Sequence, residues 1–494
     1  MSLLDRLVSQ ATADPTAPAL IWPGGELDYA ALLEEIEALR VRLAASGIRC
    51  LALAADNGPA WALVDLAALA AGICLVPLPG FFSPSQIRHA LTRSGAQALL
   101  APPSSPLEDL ATGAAQEWSI AGQRLSLLAL AGDPSTPLPE AVHKITFTSG
   151  TTGEPKGVML AWRQIQPVVE SLAGAVEAGP GHRHLALAPL SILLENIAGL
   201  YVPLWCGATA VLPPLAEVGL RGSSRLDVET MARALTQWRA NSAIFFPQTL
   251  QALVEWLESG HPAPDSLAFA AVGGAPVSSR LLARARALGL PVYEGYGLSE
   301  CASVVCLNTP VAQRPGSVGR PLPHVRLRLS GDGEVLVAGA GFLGYLGEPA
   351  QPSEWWPTGD LGRLDRDGYL YLEGRRRNVF CTAFGRNVAP EWVERELTLE
   401  PAIAQAALFG EARPWNLAVI VPAPGADPVA VEAALERVNA GLPDYARAQE
   451  WLTAEAPFSL ANGELTGTGR IRREAIWSHY AGVIEPRYRQ ESIS

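Results

Sequence analysis

Between Cys50 and Ala101 three short apolar runs, CLALAA, ICLVPL and QALLA, alternate with segments whose apolar residues recur at helical spacing. Upstream, Leu32, Ile36, Leu39 and Leu43 mark one helical face, and Gly47 is placed to end it. The stretch from Trp61 to Leu78 is strongly apolar, yet Asp65, Gly72 and Pro77 divide it into a buried helix and a strand rather than a membrane span. Ser83, Pro84 and Gln86 supply a capping hydroxyl, a proline at the first helical position and a glutamine at the third. Strands and helices alternating at this interval predict an α/β fold whose sheets are covered on both faces.

The rhythm resumes downstream. SAIFFP leads into a helix over Gln248 to Glu258, and LAFAAV passes through GGAP into the helix VSSRLLARARAL and the strand PVYEGY. Near Arg314 the texture changes. GSVGRPLPHVRLRLSGDGEVLVAG alternates apolar and polar residues between glycines and prolines, which predicts a β-rich subdomain closed by RDGYLYLEGRRRNVF. The residues beyond carry their own strands, AALFG and LAVIVP, and helices. The predicted division is a large N-terminal domain of layered sheets over 1–374, a hinge over 375–378 and a small, mobile α+β domain over 379–494.

Composition narrows the function. Over 494 residues, 49% hydrophobic and 17% charged content describe a globular chain with a large core. A net charge of −12 argues against a nucleic-acid surface, which needs clustered cations. The local clusters Arg375 to Arg377 and Arg470 to Arg473 suit a small polyanion such as a nucleotide instead. The six cysteines are scattered without CxxC spacing, which predicts buried free thiols in a reducing compartment. MSLLDRLVSQ lacks the order of a signal peptide, so a cytoplasmic location is expected.

The chain writes nearly every cation as arginine and has two lysines, Lys144 and Lys156. The second lies in TSGTTGEPKG, Thr148 to Gly157, between two apolar runs. Glycines let backbone amides approach a ligand, and successive amides in such a turn form an anion-binding concavity to which hydroxyls add donors. A lysine over that cradle supplies charge for a polyphosphate. The Walker pattern is absent, because Gly157 follows Lys156 where a Ser or Thr would stand.

Further motifs follow in order: YEGYGLSE (Tyr293 to Glu300), GSVGRPLP (Gly316 to Pro323), WPTGDLG (Trp356 to Gly362), GRRRNVFCTAFGRNVAPEWVE (Gly374 to Glu394) and NGELTGTGRIRR (Asn462 to Arg473). With LDYAAL at Leu27 and AAGICLVPLP ending at Pro79, the set resembles the acyl-adenylate-forming superfamily along essentially the whole chain. That superfamily holds acyl-CoA synthetases, peptide-synthetase adenylation domains and beetle luciferases.

The resemblance implies roles at matching positions. Thr148, Ser149, Gly150, Thr151, Thr152, Gly153 and Lys156 would handle the β- and γ-phosphates of ATP. Gly273, Gly274, Ala275 and Pro276 would form the adenine side, with Tyr296 stacking on the base and Gly297 and Ser299 in the same nucleotide segment. Glu300, with Thr148, would hold Mg²⁺, a hard cation that takes oxygen ligands. Asp360 would accept from the ribose hydroxyls, and Arg375 would approach ribose and phosphate. The implied reaction joins a carboxylic acid to AMP and passes the acyl group to a thiol. Charge stabilisation would come from Lys156, Glu300 through its metal, and Arg470.

Three features qualify that expectation. The family ends its last motif in Gly-Lys, whereas this chain has Gly469-Arg470. Arginine is always charged and binds carboxylate and phosphate, but its planar fork cannot be placed like an ammonium. Either Arg470 takes over the task, or adenylation is impaired and the chain is a nucleotide-binding relative. At the hinge, Arg377 stands where the family has Asp or Lys, and Gly385 would leave space for a thiol arm. Finally, LAPLSILLENIAGLYVPLW (Leu187 to Trp205) lacks the Asp by which amino-acid activators read an amine. Glu195, Asn196, Trp205, Phe245 and Phe246 are the candidate pocket residues, and they suggest an apolar aliphatic or aryl acid. CoA is the default acceptor, with a carrier-protein phosphopantetheine or a free amine as alternatives.

Overall fold

The computed structural model describes residues 2–132, 138, 141–148, 155–221, 225–349, 353–376, 378–383, 386–466 and 469–490. Among these residues the N-terminal part is built on two large sheets. The first has a parallel core of Cys50–Leu53, Cys74–Pro77 and Ala98–Ala101, joined by the antiparallel pair Val142–Thr148 and Lys156–Ala161. The second has a parallel core of Thr209–Val211, Arg183–Leu185, Ser242–Phe245, Phe269–Val272 and Val292–Tyr296. The strands Cys50–Leu53, Cys74–Pro77 and Ala98–Ala101 are buried along their whole length, as expected of sheets covered on both faces.

The helix Pro59–Ala71 starts two residues before Trp61 and is buried nearly all round, which explains its lack of a polar stripe. The helix Pro84–Ser94 carries the expected capping box between Ser83 and Gln86 and ends at left-handed Gly95. The β-rich region becomes a four-stranded antiparallel sheet of Arg326–Leu329, Glu334–Ala338, Trp356–Leu364 and Leu370–Arg375. The C-terminal part packs helices Pro390–Leu397, Pro428–Ala440 and Arg473–Gln490 with a sheet of Ile403–Phe409, Asn416–Pro422 and Ala448–Thr453. No helix among the described residues is long and apolar enough to cross a membrane.

One of the two lysines is a core cation. Lys144 is 1% exposed, and its Nζ lies 2.8 Å from Asp65 Oδ1 and 2.9 Å from the Tyr201 hydroxyl, with Asn196 Oδ1 as a further acceptor. Asn196 Nδ2 and the Tyr201 hydroxyl both donate to Asp65 Oδ2, at 2.9 and 2.6 Å. Burial pushes the Asp65 carboxyl up, but Lys144, His143 and the Tyr201 hydrogen bond together more than offset this and hold it below its ordinary value. The cluster ties the first sheet to the π-helical turn Asn196–Tyr201 beside the second.

The thiol expectation needs correction. Cys50, Cys74, Cys301 and Cys306 are buried, but Cys206 is half-buried and Cys381 is exposed. Cys381 lies in the short strand pair Phe380–Cys381 with Asn387–Val388, where strand alternation turns Phe380 inward and Cys381 out.

Candidate active site

The strands of the second sheet deliver the nucleotide motifs to one cleft. Gly273 and Gly274 follow the strand Phe269–Val272, and both need to be glycine. A Cβ at Gly273 would lie 2.9 Å from the Gly295 carbonyl oxygen; Gly274 has φ +80°, and a Cβ there would lie 2.8 Å from the Phe246 ring. Ala275 and Pro276 continue this turn along the cleft wall.

The next strand ends at Tyr296, and a strained turn follows. A Cβ at Gly297 would lie 1.5 Å from the Ser303 carbonyl oxygen, while Ala302 and Ser303 hold positive φ angles of 51° and 92°. Ser299 and Glu300 form a single 3₁₀ turn inside it. Glu300 Oε1 accepts a hydrogen bond from the Tyr345 hydroxyl at 2.7 Å.

Tyr345 also meets the lysine of the glycine loop. Lys156 Nζ sits 4.7 Å from the Tyr345 ring centroid and 2.8 Å from Glu348 Oε1, with both members of this ion pair partly exposed. Thr148 and Lys156 are cross-strand partners, and the Thr148 hydroxyl faces the Lys156 carbonyl at 3.5 Å. Ser149, Gly150, Thr151, Thr152 and Gly153 lie outside the described residues, as do Arg377 and Gly385. Sequence reading passed over Tyr345 and Glu348. The only local signal is the short GYLGEP segment, and its partners are remote in the chain.

Elsewhere in the cleft, Asp360 and Arg375 are register partners in adjacent antiparallel strands. Arg375 Nε lies 2.7 Å from Asp360 Oδ1, and the Tyr296 hydroxyl donates to Asp360 Oδ2 at 2.6 Å. Burial, with the Asp360 charge beside it, pushes the Tyr296 phenol well above its ordinary value. Glu334, also unforeseen, braces this corner by accepting from the Gly359 amide at 2.9 Å and from Arg376 Nη1 at 2.8 Å. Of the two basic clusters, Arg376 is thus committed to Glu334 and Asp332, and Arg473 to Glu394.

Arg470 reaches the cleft from the C-terminal part and donates from Nη2 to the Gly274 carbonyl at 2.5 Å. The cleft is therefore lined from both parts of the chain, with Lys156, Glu300, Tyr296, Asp360, Arg375 and Arg470 all on its walls. Among the described residues no cluster of three His, Cys, Asp or Glu side chains could hold a metal alone. The single carboxylate of Glu300 suits a Mg²⁺ whose other ligands are phosphate and water oxygens.

The candidate acyl-pocket residues divide. Phe246 lines the cleft, and so does Ile192, which was not among the candidates. Phe245 points to the other side of its strand and packs in the core with Leu185 and Val272. Trp205 packs at the edge of the main core, and its carbonyl accepts from Arg6. Asn196 belongs to the Lys144 cluster. Glu195 is fully buried behind His184, which does line the cleft. These three residues (Phe245, Trp205, Asn196) are therefore corrected to structural positions, and Glu195 to an indirect one.

Comparison with known proteins agrees with this architecture. The family model described as AMP-binding enzyme matches residues 7–346, and that of the AMP-binding enzyme C-terminal domain matches 378–492. Long-chain-fatty-acid–CoA ligase FadD15 of Mycobacterium tuberculosis is 29% identical over 521 aligned positions, covering 87% of this chain and 86% of that protein. Feruloyl-CoA synthase of an Amycolatopsis species is 29% identical, covering 85% and 88%. The anthranilate CoA ligase AuaEII in complex with anthranoyl-AMP matches in fold with a TM-score of 0.80 at 19% identity, over 97% of each chain. The o-succinylbenzoate CoA synthetase of Bacillus subtilis, in complex with ATP and magnesium ion, gives 0.75 at 22% identity, over 95% of this chain and 98% of that one. With the first family model spanning well over half of its length, this chain belongs to the AMP-binding enzyme family.

Proposed function

We propose that the protein is an ATP-dependent, AMP-forming acid–thiol ligase that activates an apolar aliphatic or aryl carboxylic acid and transfers it to CoA. The observation that carries this reading is the reach of Arg470 onto the Gly273–Gly274 turn, in the same cleft as Lys156, Glu300 and Asp360. The names of the relatives, all acid–CoA ligases, support CoA as acceptor.

In the first half-reaction the acid's carboxylate oxygen attacks the α-phosphorus of ATP and pyrophosphate leaves. In the second, a thiolate attacks the acyl carbon and AMP leaves. Both partners of the first step are anions, so the chain's work is positioning and charge stabilisation. Arg470 offers five donors above the turn and would bridge the carboxylate and the α-phosphate. Lys156 would neutralise the outer phosphates together with the amides of the Ser149–Gly153 loop. Asp360, oriented by Tyr296 and Arg375, would accept from the ribose hydroxyls. Mg²⁺ held at Glu300 would supply Lewis-acid stabilisation of the leaving pyrophosphate.

The small C-terminal part, 379–494, would rotate about 375–378 between the two steps, withdrawing Arg470 and admitting the thiol arm past Gly385. A cytoplasmic setting fits such substrates, and a carrier-protein phosphopantetheine would meet the same opening. The test is acid-dependent pyrophosphate release with ATP and Mg²⁺, followed by thioester formation on adding CoA. Release without CoA, then thioester with it, supports the reading. Nucleotide binding with no release from any acid would make the chain a non-catalytic member of its family.

A further inference from the structure

The row of residues that leads away from the reactive end of the cleft is apolar until it meets a hydrogen-bonded relay. Strand alternation places Phe246, Ile244 and Ser242 on one face, and all three line the cleft. Phe246 sits against Gly274, beneath Arg470. Ser242 lies four residues back along the chain, about 13 Å deeper at the rise of a strand. His184 is its register partner in the neighbouring parallel strand, so the two side chains share that face. His184 Nδ1 is 2.9 Å from Ser242 Oγ, and its Nε2 is 3.0 Å from Oε1 of the fully buried Glu195.

The surroundings are cut to hold this relay. A Cβ at Gly199 would lie 2.3 Å from Glu195 Oε1 and 3.0 Å from His184 Nε2, so the π-helical turn passes over the pair only because residue 199 is glycine. Ala198 and Val202 supply apolar wall around it. Such turns concentrate at functional sites. A carboxylate and an imidazole buried in an apolar wall cost several kcal/mol unless their hydrogen bonds are complete. His184 is satisfied at both ring nitrogens, by Ser242 and by Glu195 Oε1, while Glu195 Oε2 has no hydrogen-bond partner among the described residues. Ser242 is the one partly exposed member; its hydroxyl offers one donor and two acceptor positions, of which His184 takes one.

We propose that Ser242, oriented by His184 and Glu195, reads a hydroxyl at the far end of the acid, so that the substrate class is a hydroxylated aryl or aliphatic carboxylic acid. A hydroxyl both donates and accepts, so it matches Ser242 whichever way the His184 proton points. The strand step puts Ser242 about 13 Å below Phe246, a reach that suits the longer aliphatic acid, whereas a shorter aryl acid meets Ser242 only if it seats deeper than Phe246. Ser242 is the contacting residue; His184 and Glu195 are positioning residues. The inference rests on the ligase reading above.

The test is kcat/KM for thioester formation on matched acids, para-hydroxycinnamate against cinnamate and ω-hydroxydecanoate against decanoate. The enzymes compared are the native protein, Ser242→Ala and His184→Phe. The expected result is a native preference of about tenfold or more for the hydroxylated member of at least one pair, since a site built to bond a hydroxyl rejects its deoxy analogue. That ratio should collapse towards one in Ser242→Ala. In His184→Phe it should fall with the KM for ATP unchanged, which a general loss of folding would not give. The pair that shows the preference tells an aryl from an aliphatic acid. Equal or reversed native preference in both pairs, or a ratio unmoved by Ser242→Ala, would overturn the inference while leaving the ligase intact. Absence of turnover with every acid would instead sink the ligase reading.

Discussion

Arg470 donates across the cleft to the carbonyl oxygen of Gly274 at 2.5 Å, joining a loop of the C-terminal part to the glycine turn of the second sheet. This placement brings a guanidinium over the site where the family resemblance asks for an ammonium. Arg470→Ala should lower acid-dependent pyrophosphate release at least 100-fold, on the scale of losing a transition-state donor. Arg470→Lys should retain most of it. Equal rates in native protein and Arg470→Ala would remove Arg470 from the chemistry.

Lys156 is held by Glu348, an anion that ATP must displace if the lysine is to meet phosphate. Both side chains are substantially exposed, so the pair contributes roughly 0–1 kcal/mol. Glu348→Gln is therefore expected to lower the KM for ATP by no more than about fivefold, and more at low salt than at high salt. Lys156→Ala should raise it. A KM for ATP that rises in Glu348→Gln would mean the carboxylate helps nucleotide binding rather than competing with it.

Asp360 gathers Tyr296 and Arg375, and its loss leaves a buried phenol and a half-buried guanidinium without their shared acceptor. Asp360→Ala should weaken AMP binding in calorimetric titration and cost about 1–3 kcal/mol of stability. Tyr296→Phe removes one donor and should cost less in both. Unchanged AMP affinity in Asp360→Ala would exclude a ribose contact.

Lys144 and Asp65 form a fully buried pair. Removing one partner leaves an uncompensated charge, so Lys144→Met should destabilise by about 3–5 kcal/mol in urea unfolding. The double variant Lys144→Met with Asp65→Leu should recover much of that loss. Additive losses in the double variant would show that the two charges are not energetically coupled.

Glu294 lines the cleft as a buried residue, and burial pushes its carboxyl up from 4.5 to about 8, against the pull of Arg395 and Arg286. Its raised value makes the neutral form the folded one. The linked stability is complete below pH 4.5 and is lost as pH rises through about 8. Glu294→Gln should therefore match the native melting temperature near pH 5 and exceed it above pH 8, by the equivalent of about 1–4 kcal/mol. A constant difference across that range would place the titration elsewhere.

Much was legible in the chain itself. Alternating apolar runs determined the α/β layers, because a strand buried on both faces must be apolar throughout and its covering helices must carry a stripe. The ordered motifs determined the family and which residues to look for, since turns that admit a backbone or a phosphate need glycine and hydroxyls at fixed places. What the string could not carry was which residues meet. Lys144 and Lys156 look alike in one dimension; packing made the first a core cation on Asp65 and left the second at the cleft on Tyr345 and Glu348. Phe245 and Phe246 are neighbours in sequence, yet strand alternation sent one into the core and the other into the cleft. The relay of Ser242, His184 and Glu195 has no motif, because parallel strand pairing and a glycine in a π-helical turn bring its members together. Local pattern sets what each segment can be; only the closing of sheets against one another decides which side chains share a hydrogen bond.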